Sequence, residues 1–431
     1  MVRRVVITRG LDVVLFVFAF ILTNATAFSF TPQFLEPPFN LSYGYAIAYL
    51  DALLASLVIA LLVMSGELRV RREDVRRHGV LLAFVVYCLL TAAWSIDRES
   101  TFLELVPFLF ATFMGVYLAK RLGSELGGRR LLAVGLALVA LSAILLLVSP
   151  PFSRLLNHPY YGAWRGVFWH RNHLGSLMAF FAAVGLYWAL RPATTGVSVA
   201  AGLMLVAGAT TMVVGSRSAT GILILAILVA GVAAGMAWLR YHERISRTQY
   251  RLMLALAAAL AVFLLINRGG VLRLVGRDST LTGRTAIWSD LLGRVWPERP
   301  VLGHGYGALW NQTSFRLELQ ELHGWPYPVF FSDNGYLDLL LNLGVIGLVL
   351  FLVFFLITGY RTVKHLGQER TPGSFFPLMI WTYVGLANLS YSFLLEVDQF
   401  VWMLLVMAAV WSAQAAASHA TERRQDAARS D

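Results

Sequence analysis

Long apolar runs recur along most of this chain, and they constrain its fold more than any other feature of the sequence. Most of them reach the length of about 18 to 20 residues that an α-helix needs to cross the hydrocarbon core of a bilayer. The composition agrees, because 58% of the residues are hydrophobic and 14% are charged, whereas soluble domains carry about 25% charged residues. The sequence therefore predicts an all-α, polytopic membrane protein.

The apolar runs predict about twelve membrane spans within a single transmembrane domain, residues 1–417. The ninth span is short. The predicted spans are Leu11–Phe28, Tyr45–Met64, Val80–Ile96, Phe102–Leu118, Leu131–Val148, Leu174–Leu190, Val197–Val214, Ala219–Leu239, Leu252–Ile266, Leu337–Ile357, Phe375–Leu394 and Phe400–Ala417.

The basic residues predict the orientation of these spans. Most of the 35 Lys and Arg residues lie near the two chain ends and in alternate segments between spans, and cytoplasmic loops carry such an excess. Both termini are therefore predicted to be cytoplasmic, with residues 418–431 as a cytoplasmic tail. The net charge of +11 is explained by this excess of basic residues in cytoplasmic loops. The basic face is therefore predicted to meet anionic membrane lipid, and no nucleic acid partner is predicted.

The segment between spans nine and ten, residues 267–335, is predicted to be a periplasmic loop subdomain. "GRTAIWSDLLGRVW" and "TSFRLELQELHG" favour helices, and stretches rich in Gly and Pro separate them. Several arginines lie in this loop against the usual charge bias, either because they bind a ligand or because long exported loops escape that bias. We expect a small helical cap over the membrane domain.

Two polar clusters adjoin spans on the same exported side. "FWHRNHLG" places His170, Arg171 and Asn172 directly before the sixth span, where they could bind substrate or anchor the helix end at the interface. "SRSATG" places Arg217 in a very short turn between spans seven and eight. A guanidinium group near hydrocarbon is costly unless it is paired or binds an anion; the alternative is that Arg217 extends to lipid headgroups.

The periplasmic loop contributes two further groups of candidates. "GRDSTLTGRTAIW" holds Arg277 and Arg284, and a helix is predicted to begin near Arg284 after a capping region at residues 278–282. Helix N-termini and guanidinium groups both suit phosphate oxygens. "GHGYG" holds His304 and Tyr306 between glycines that allow tight turns. His304 either binds substrate or hydrogen-bonds to backbone.

"DNGYLDLLLNLGVIG" places Asp333 and Asn334 directly before the tenth span. Asp and Asn are preferred N-caps, and an Asp also gains from the helix dipole. We predict that Asp333 caps this span and that the cap places its carboxylate at the mouth of a site; the alternative is that Asp333 is a helix cap only. The sequence has a single cysteine, no recognisable metal-ligand pattern and no nucleotide-binding loop, so it predicts no metal and no cofactor.

In chain order, "FWHRNHLG", "SRSATG", "TLTGRTAIW", "GHGYG" and "DNGYLDLLLNLGVIG" resemble the O-antigen ligase and polymerase superfamily (Wzy and WaaL proteins) of bacterial surface glycan assembly. The resemblance is strongest to its exopolysaccharide polymerase branch, the ExoQ-like proteins. The ligase branch carries a His followed by Asn, nine residues, Gly, two residues and Gly. Here Asn334, Gly344 and Gly347 match that pattern, whereas Asp333 stands at the position of the His, which favours the polymerase branch over a strict ligase.

The resemblance implies a GT-C-like membrane glycosyltransferase in the bacterial inner membrane, with its active site facing the periplasm. The donor would be a glycan on undecaprenyl diphosphate, and the acceptor a hydroxyl group of another lipid-linked repeat unit. Arg217 and Arg284 would stabilise the leaving diphosphate, and Asp333 would take the proton of the attacking hydroxyl, in a metal-independent, inverting reaction. A chain-length regulator is a further candidate partner. The residues assigned to substrate binding are His170, Arg171, Asn172, Arg277, His304, Tyr306 and Asn334.

Two alternatives stay open at this point. A ligase or a protein O-glycosyltransferase would use the same donor with another acceptor. A transporter or flippase would move a lipid-linked sugar without chemistry. It would predict inverted repeats and interrupted helices near the membrane midplane, and the sequence shows neither.

Overall fold

The computed structural model of the protein describes residues 72–156, 160–191, 195–241, 284–324, 329–394 and 399–430, with a few isolated positions nearer the N-terminus and at 248–249. Regular secondary structure within these residues is helical. Six of the helices are long and apolar enough to cross a membrane, which confirms the predicted polytopic membrane protein. The number of twelve spans stays a prediction, because the first, second and ninth lie wholly or largely outside the described residues.

Thirteen helices are labelled here in chain order, within the described part of the chain. They are α1 (Arg72–Arg77), α2 (Gly79–Leu90), α3 (Arg98–Val148), α4 (Pro150–Ser153), α5 (Arg171–Leu190), α6 (Gly196–Ser216), α7 (Ala219–Tyr241), α8 (Arg284–Asp290), α9 (Ala308–Asn311), α10 (Thr313–His323), α11 (Gly335–Glu369), α12 (Pro372–Ala387) and α13 (Gln399–Ser430).

Two helices form the centre of the membrane domain. In α5 and in the membrane part of α13, 83% of the most apolar 18-residue stretch is buried, against 28% to 44% in the other long helices. α13 packs on α3, where the Trp402 indole donates to Thr112 Oγ1 at 2.8 Å. α5 crosses α6 with Gly185 against Gly202, and a Cβ on either glycine would meet the backbone of the other helix. Small residues at such crossings are typical of membrane helices.

Two of the long helices are broken at a glycine. α3 covers the fourth and fifth predicted spans together with the basic segment between them, and it breaks at Gly123, where φ is 61°. α11 breaks at Gly344, where φ is 65°. Glycine adopts this left-handed conformation at little cost because it has no Cβ. The segment between spans four and five is therefore mostly helical.

α12 ends earlier than predicted. The eleventh predicted span runs to Leu394, whereas the helix ends at Ala387. The chain leaves the helix because Asn388 Oδ1 accepts a hydrogen bond from Phe393 N at 3.0 Å and the Asn388 carbonyl accepts one from Gly335 N at 2.9 Å. The resulting turn, residues 388–394, lies against the start of α11 and contributes to the candidate site.

The described part of the predicted periplasmic loop contains both helices that the sequence predicts there. α8 (Arg284–Asp290) continues through a π-helical turn, Leu291–Val295, and α10 follows after the Gly-rich stretch. A small apolar cluster joins this cap to the start of α11. Its buried members are Ile287, Leu291, Val295, Leu309, Trp310, Leu319, Val329, Leu337 and Leu341.

Candidate active site

Asp333 and Asn334 play different roles before α11. Asn334 is the N-cap, and its side-chain oxygen accepts hydrogen bonds from Tyr336 N at 3.1 Å and Leu337 N at 3.2 Å. The prediction that Asp333 caps this helix is therefore wrong. Asp333 has a φ of 58°, a left-handed conformation that Asp tolerates better than most residues. Its carboxylate faces Arg284 instead of the helix end.

Arg284 belongs to α8 and lies between Asp333 and the turn after α12. Its Nε is 2.8 Å from Asp333 Oδ2, and its terminal Nη1 donates to the Ser390 carbonyl at 2.9 Å. The two ion-paired side chains are 11% and 15% exposed, so the pair is shielded and still reachable. The planar guanidinium fork suits both carboxylate and phosphate oxygens.

The start of α5 brings His170 and Arg171 to the same region. His170 is the N-cap of α5, and its Nδ1 accepts a hydrogen bond from Asn172 N at 3.3 Å. Arg171 is buried, its guanidinium lies over the Tyr160 ring at 3.6 Å, and it donates to the Arg217 carbonyl at 2.7 Å. The first turn of α5 is thus joined to the turn that follows α6.

Arg217 lies in the turn between α6 and α7, with a φ of 51°. Its side chain is exposed and donates to the Tyr161 carbonyl at 3.4 Å. The turn is held against α5 because the Ser218 hydroxyl donates to Asn172 Oδ1 at 3.0 Å. Asn172 therefore fixes the position of the turn that carries Arg217.

The charged cluster is defined here as His170, Arg171, Arg217, Arg284 and Asp333. Burial raises the pKa of the Asp333 carboxyl above its ordinary value, although Arg284 and Arg171 act to lower it. Burial, followed by the charges of Arg171 and Arg284, lowers the pKa of His170 well below its usual value, so this imidazole is neutral at pH 7. The guanidinium groups of Arg284 and Arg171 both act on the single carboxylate of Asp333, and this excess of positive charge favours an anionic ligand.

Asp338 supports the cluster, a role that its place in the sequence does not by itself predict. It is fully buried in the first turns of α11, and its Oδ1 accepts hydrogen bonds from Trp310 Nε1 at 3.0 Å and Ser332 N at 3.3 Å. Its Oδ2 accepts one from the Ser392 hydroxyl. One carboxylate thus holds both segments that carry the partners of Arg284. An acid within a predicted membrane span was the available signal.

The structure does not bring His304 to the charged cluster. His304 belongs to the docked loop, defined as residues 300–306, which pairs with the α11 backbone near the break at Gly344. Its backbone N and its Nδ1 both lie within hydrogen-bonding distance of the Leu341 carbonyl, at 3.1 Å and 2.8 Å. Leu341 lies about two helical turns beyond Asp333. Of the two roles that the sequence left open for His304, the structure therefore displays the backbone hydrogen bond.

Tyr306 lies in the helical core. It is 0% exposed, its ring centroid is 5.0 Å from that of Phe108, and its hydroxyl accepts a hydrogen bond from Gln399 Nε2 at 3.3 Å. Arg277 and the predicted capping region at 278–282 lie outside the described residues. Within the residues that are described, no three His, Cys, Asp or Glu side chains are grouped as metal ligands.

These features define a multi-pass helical membrane protein with an arginine-rich cluster at the ends of its helices. Residues 202–352 match the model of a protein family described as O-antigen ligase, a range that includes three members of the cluster. Over 311 residues the chain is 27% identical to the exopolysaccharide production protein ExoQ of Rhizobium meliloti (strain 1021), covering 68% of this chain and 67% of that protein. The two findings confirm the predicted resemblance to the O-antigen ligase and polymerase superfamily and to its ExoQ-like proteins.

Proposed function

We propose that this protein is a glycosyltransferase of bacterial surface polysaccharide assembly that acts at the periplasmic face of the inner membrane. It acts as a polymerase, which transfers an undecaprenyl-diphosphate-linked glycan onto a hydroxyl group of another lipid-linked repeat unit. The observation that carries the proposal is the Arg284–Asp333 ion pair at 2.8 Å, set among further arginines. The family match and the similarity to ExoQ support the class of reaction.

The reaction needs an anion site and a base, and the charged cluster contains groups suited to both. The acceptor hydroxyl oxygen attacks the anomeric carbon of the donor sugar. The bond from that carbon to the diphosphate oxygen breaks, and its electron pair stays on the diphosphate. Arg217 and Arg284 stabilise the charge that develops there. Asp333 takes the hydroxyl proton as a general base, and a single in-line step inverts the configuration.

Arg284 links the anion site to the base. Because it is paired with Asp333 in the structure, a diphosphate that binds Arg284 competes with that pair. When Arg284 turns to the diphosphate, Asp333 loses a positive partner that favours its charged form, and its basicity rises. Donor binding thereby prepares the base for the acceptor.

A ligase is the second candidate, because the matching family is described as O-antigen ligase. It would use the same donor and the same cluster, and only the acceptor would differ. The product separates the two candidates. A polymerase makes long chains of repeat units on the lipid, whereas a ligase moves a finished glycan to an acceptor of another kind.

Complementation tests the proposal. In a bacterium that lacks this gene, the wild type and the variants Asp333→Asn, Arg217→Ala and Arg284→Lys would be expressed at matched membrane levels, and the surface glycan would be sized. We expect long chains from the wild type and only single repeat units from each variant. The reason is that each change removes the base or a bidentate anion contact.

The matched control removes an Asp–Arg pair of the cap that lies outside the cluster. Arg294 Nη2 is 3.1 Å from Asp290 Oδ2, and the variants Asp290→Asn and Arg294→Ala should leave the chains long. If Asp333→Asn also makes long chains, Asp333 is not the base. If all three cluster variants do so, a transporter without chemistry becomes the better account.

A further inference from the structure

Four rings form a closed wall beside the charged cluster. The ring centroids of Trp169 and Phe331 are 5.7 Å apart, and those of Phe331 and Tyr391 are 5.2 Å apart. His170 completes the wall, with its ring centroid 5.2 Å from Trp169 and 6.2 Å from Tyr391. These four residues are called the aromatic wall.

The wall is built from three segments, each of which carries a cluster residue or a partner of Arg284. Trp169 and His170 lie at the start of α5, Phe331 lies two residues before the ion-paired aspartate, and Tyr391 follows the residue whose carbonyl accepts from Arg284. Rings of an interfacial belt line the rim of the membrane and face headgroups. The rings of this wall instead pack on one another across segments, beside the residues that contact Arg284.

The exposure of the rings differs within the wall. Tyr391 is 3% exposed, whereas Trp169, His170 and Phe331 are half-buried. Tyr391 is therefore held in the protein core, and parts of the other three rings remain accessible to a ligand. Aromatic side chains with a few polar groups among them are the usual lining of a small-molecule site.

We propose that the aromatic wall is the sugar subsite for the donor, where the pyranose ring next to the diphosphate packs against Trp169 and Phe331. This inference rests on the proposed function. In a sugar diphosphate a single oxygen joins the anomeric carbon to phosphorus, so a diphosphate on Arg284 brings its sugar to the neighbouring wall. The negative face of an aromatic ring attracts the C–H edge of a sugar.

His170 adds a polar contact to this subsite. Its Nδ1 accepts the hydrogen bond from Asn172 N, so in the neutral imidazole the proton is assigned to Nε2. Nε2 can then donate to a sugar hydroxyl at the edge of the wall. The subsite thus combines ring packing with one directed hydrogen bond.

Two lipid probes test the subsite on the purified full-length protein in nanodiscs. The probes are undecaprenyl diphosphate, which has no sugar, and the repeat-unit lipid extracted from the source bacterium. We expect Trp169→Leu to weaken binding of the repeat-unit lipid about fivefold to tenfold and to leave undecaprenyl diphosphate within about twofold. Trp169→Phe, which keeps a ring, should recover most of the affinity. Phe331→Leu should repeat the pattern of Trp169→Leu at the second ring.

The outcomes separate this inference from the proposed function. Equal weakening of both probes by Trp169→Leu and Phe331→Leu, or no weakening of either, would overturn the sugar subsite. Arg284→Ala reports on the proposed function, because it should weaken both probes. If Arg284→Ala weakens neither probe, the diphosphate assignment fails whatever the wall does. The control is Phe152→Leu, an exposed ring on α4, which should change neither affinity.

Discussion

The charged cluster and the docked loop contain motif residues of the same resemblance, yet they use those residues in opposite ways. In the cluster, Arg284 and Asp333 hold each other through side chains that remain partly exposed. In the docked loop, His304 is 3% exposed, and its backbone N and Nδ1 both lie within hydrogen-bonding distance of the Leu341 carbonyl of α11. One region keeps charge available for a ligand, whereas the other uses its motif to close a break in a helix. A shared motif therefore does not identify a catalytic residue.

The largest expected effect tests the cluster. Asp333→Asn should lower the initial rate of glycan transfer by about 10² to 10⁴, because an amide cannot take the proton of the acceptor hydroxyl. The measurement is single-turnover transfer by the purified protein with repeat-unit lipid. Thermal unfolding measured in parallel should show a folded protein. A rate within threefold of the wild type would mean that Asp333, like the residues of the docked loop, has no catalytic role.

The second effect tests the docked loop through the fold. At Gly344, φ is 65°, and a Cβ would contact the Val301 carbonyl. Gly344→Val should therefore destabilise the protein by about 3 kcal/mol or more, through left-handed strain and the forced contact. The readouts are the amount in the membrane and the unfolding temperature, with Gly231→Ala as the control, because nothing lies within 4 Å of a Cβ there. Normal stability of Gly344→Val would mean that the loop does not depend on this break.

The third effect concerns the pH dependence that the ion pair produces. The base is active when Asp333 is deprotonated, so the rate should fall as the pH drops through its raised pKa. Burial raises this pKa and Arg284 lowers it. Arg284→Gln should therefore raise the pKa of Asp333 further and move the acid limb of the residual rate to higher pH. Arg294→Gln is the control, and an unmoved limb in Arg284→Gln would show that another group titrates.

The smallest effect is expected for Tyr306, the buried tyrosine of the "GHGYG" motif. Tyr306→Phe removes one hydrogen bond with Gln399 and keeps the ring that packs on Phe108. The free energy of unfolding should fall by about 1 kcal/mol, and the transfer rate should stay within twofold. A large loss of rate at normal stability would bring Tyr306 into the site after all.

Much of the fold was predictable because apolar runs and helix signals are local. The described part of helix α8, Arg284–Asp290, lies where the sequence predicts a helix, and the apolar runs mark the long helices. The end of α12 was not predictable in this way. The side chain of Asn388 stops the helix by binding the backbone of the following turn, and its carbonyl binds the start of α11, a contact that no local pattern displays.

For the candidate site too, some features follow from the sequence and others only from the tertiary structure. The sequence by itself determined the class of membrane protein and the residue types of the cluster, because hydropathy, charge and motif order are properties of the chain. Only the tertiary structure decided that Asn334 caps α11, that Asp333 pairs with Arg284, and that His304 lies elsewhere. Side-chain partners depend on which helix ends meet. Which helix ends come into contact is determined by packing between segments that are distant in the sequence.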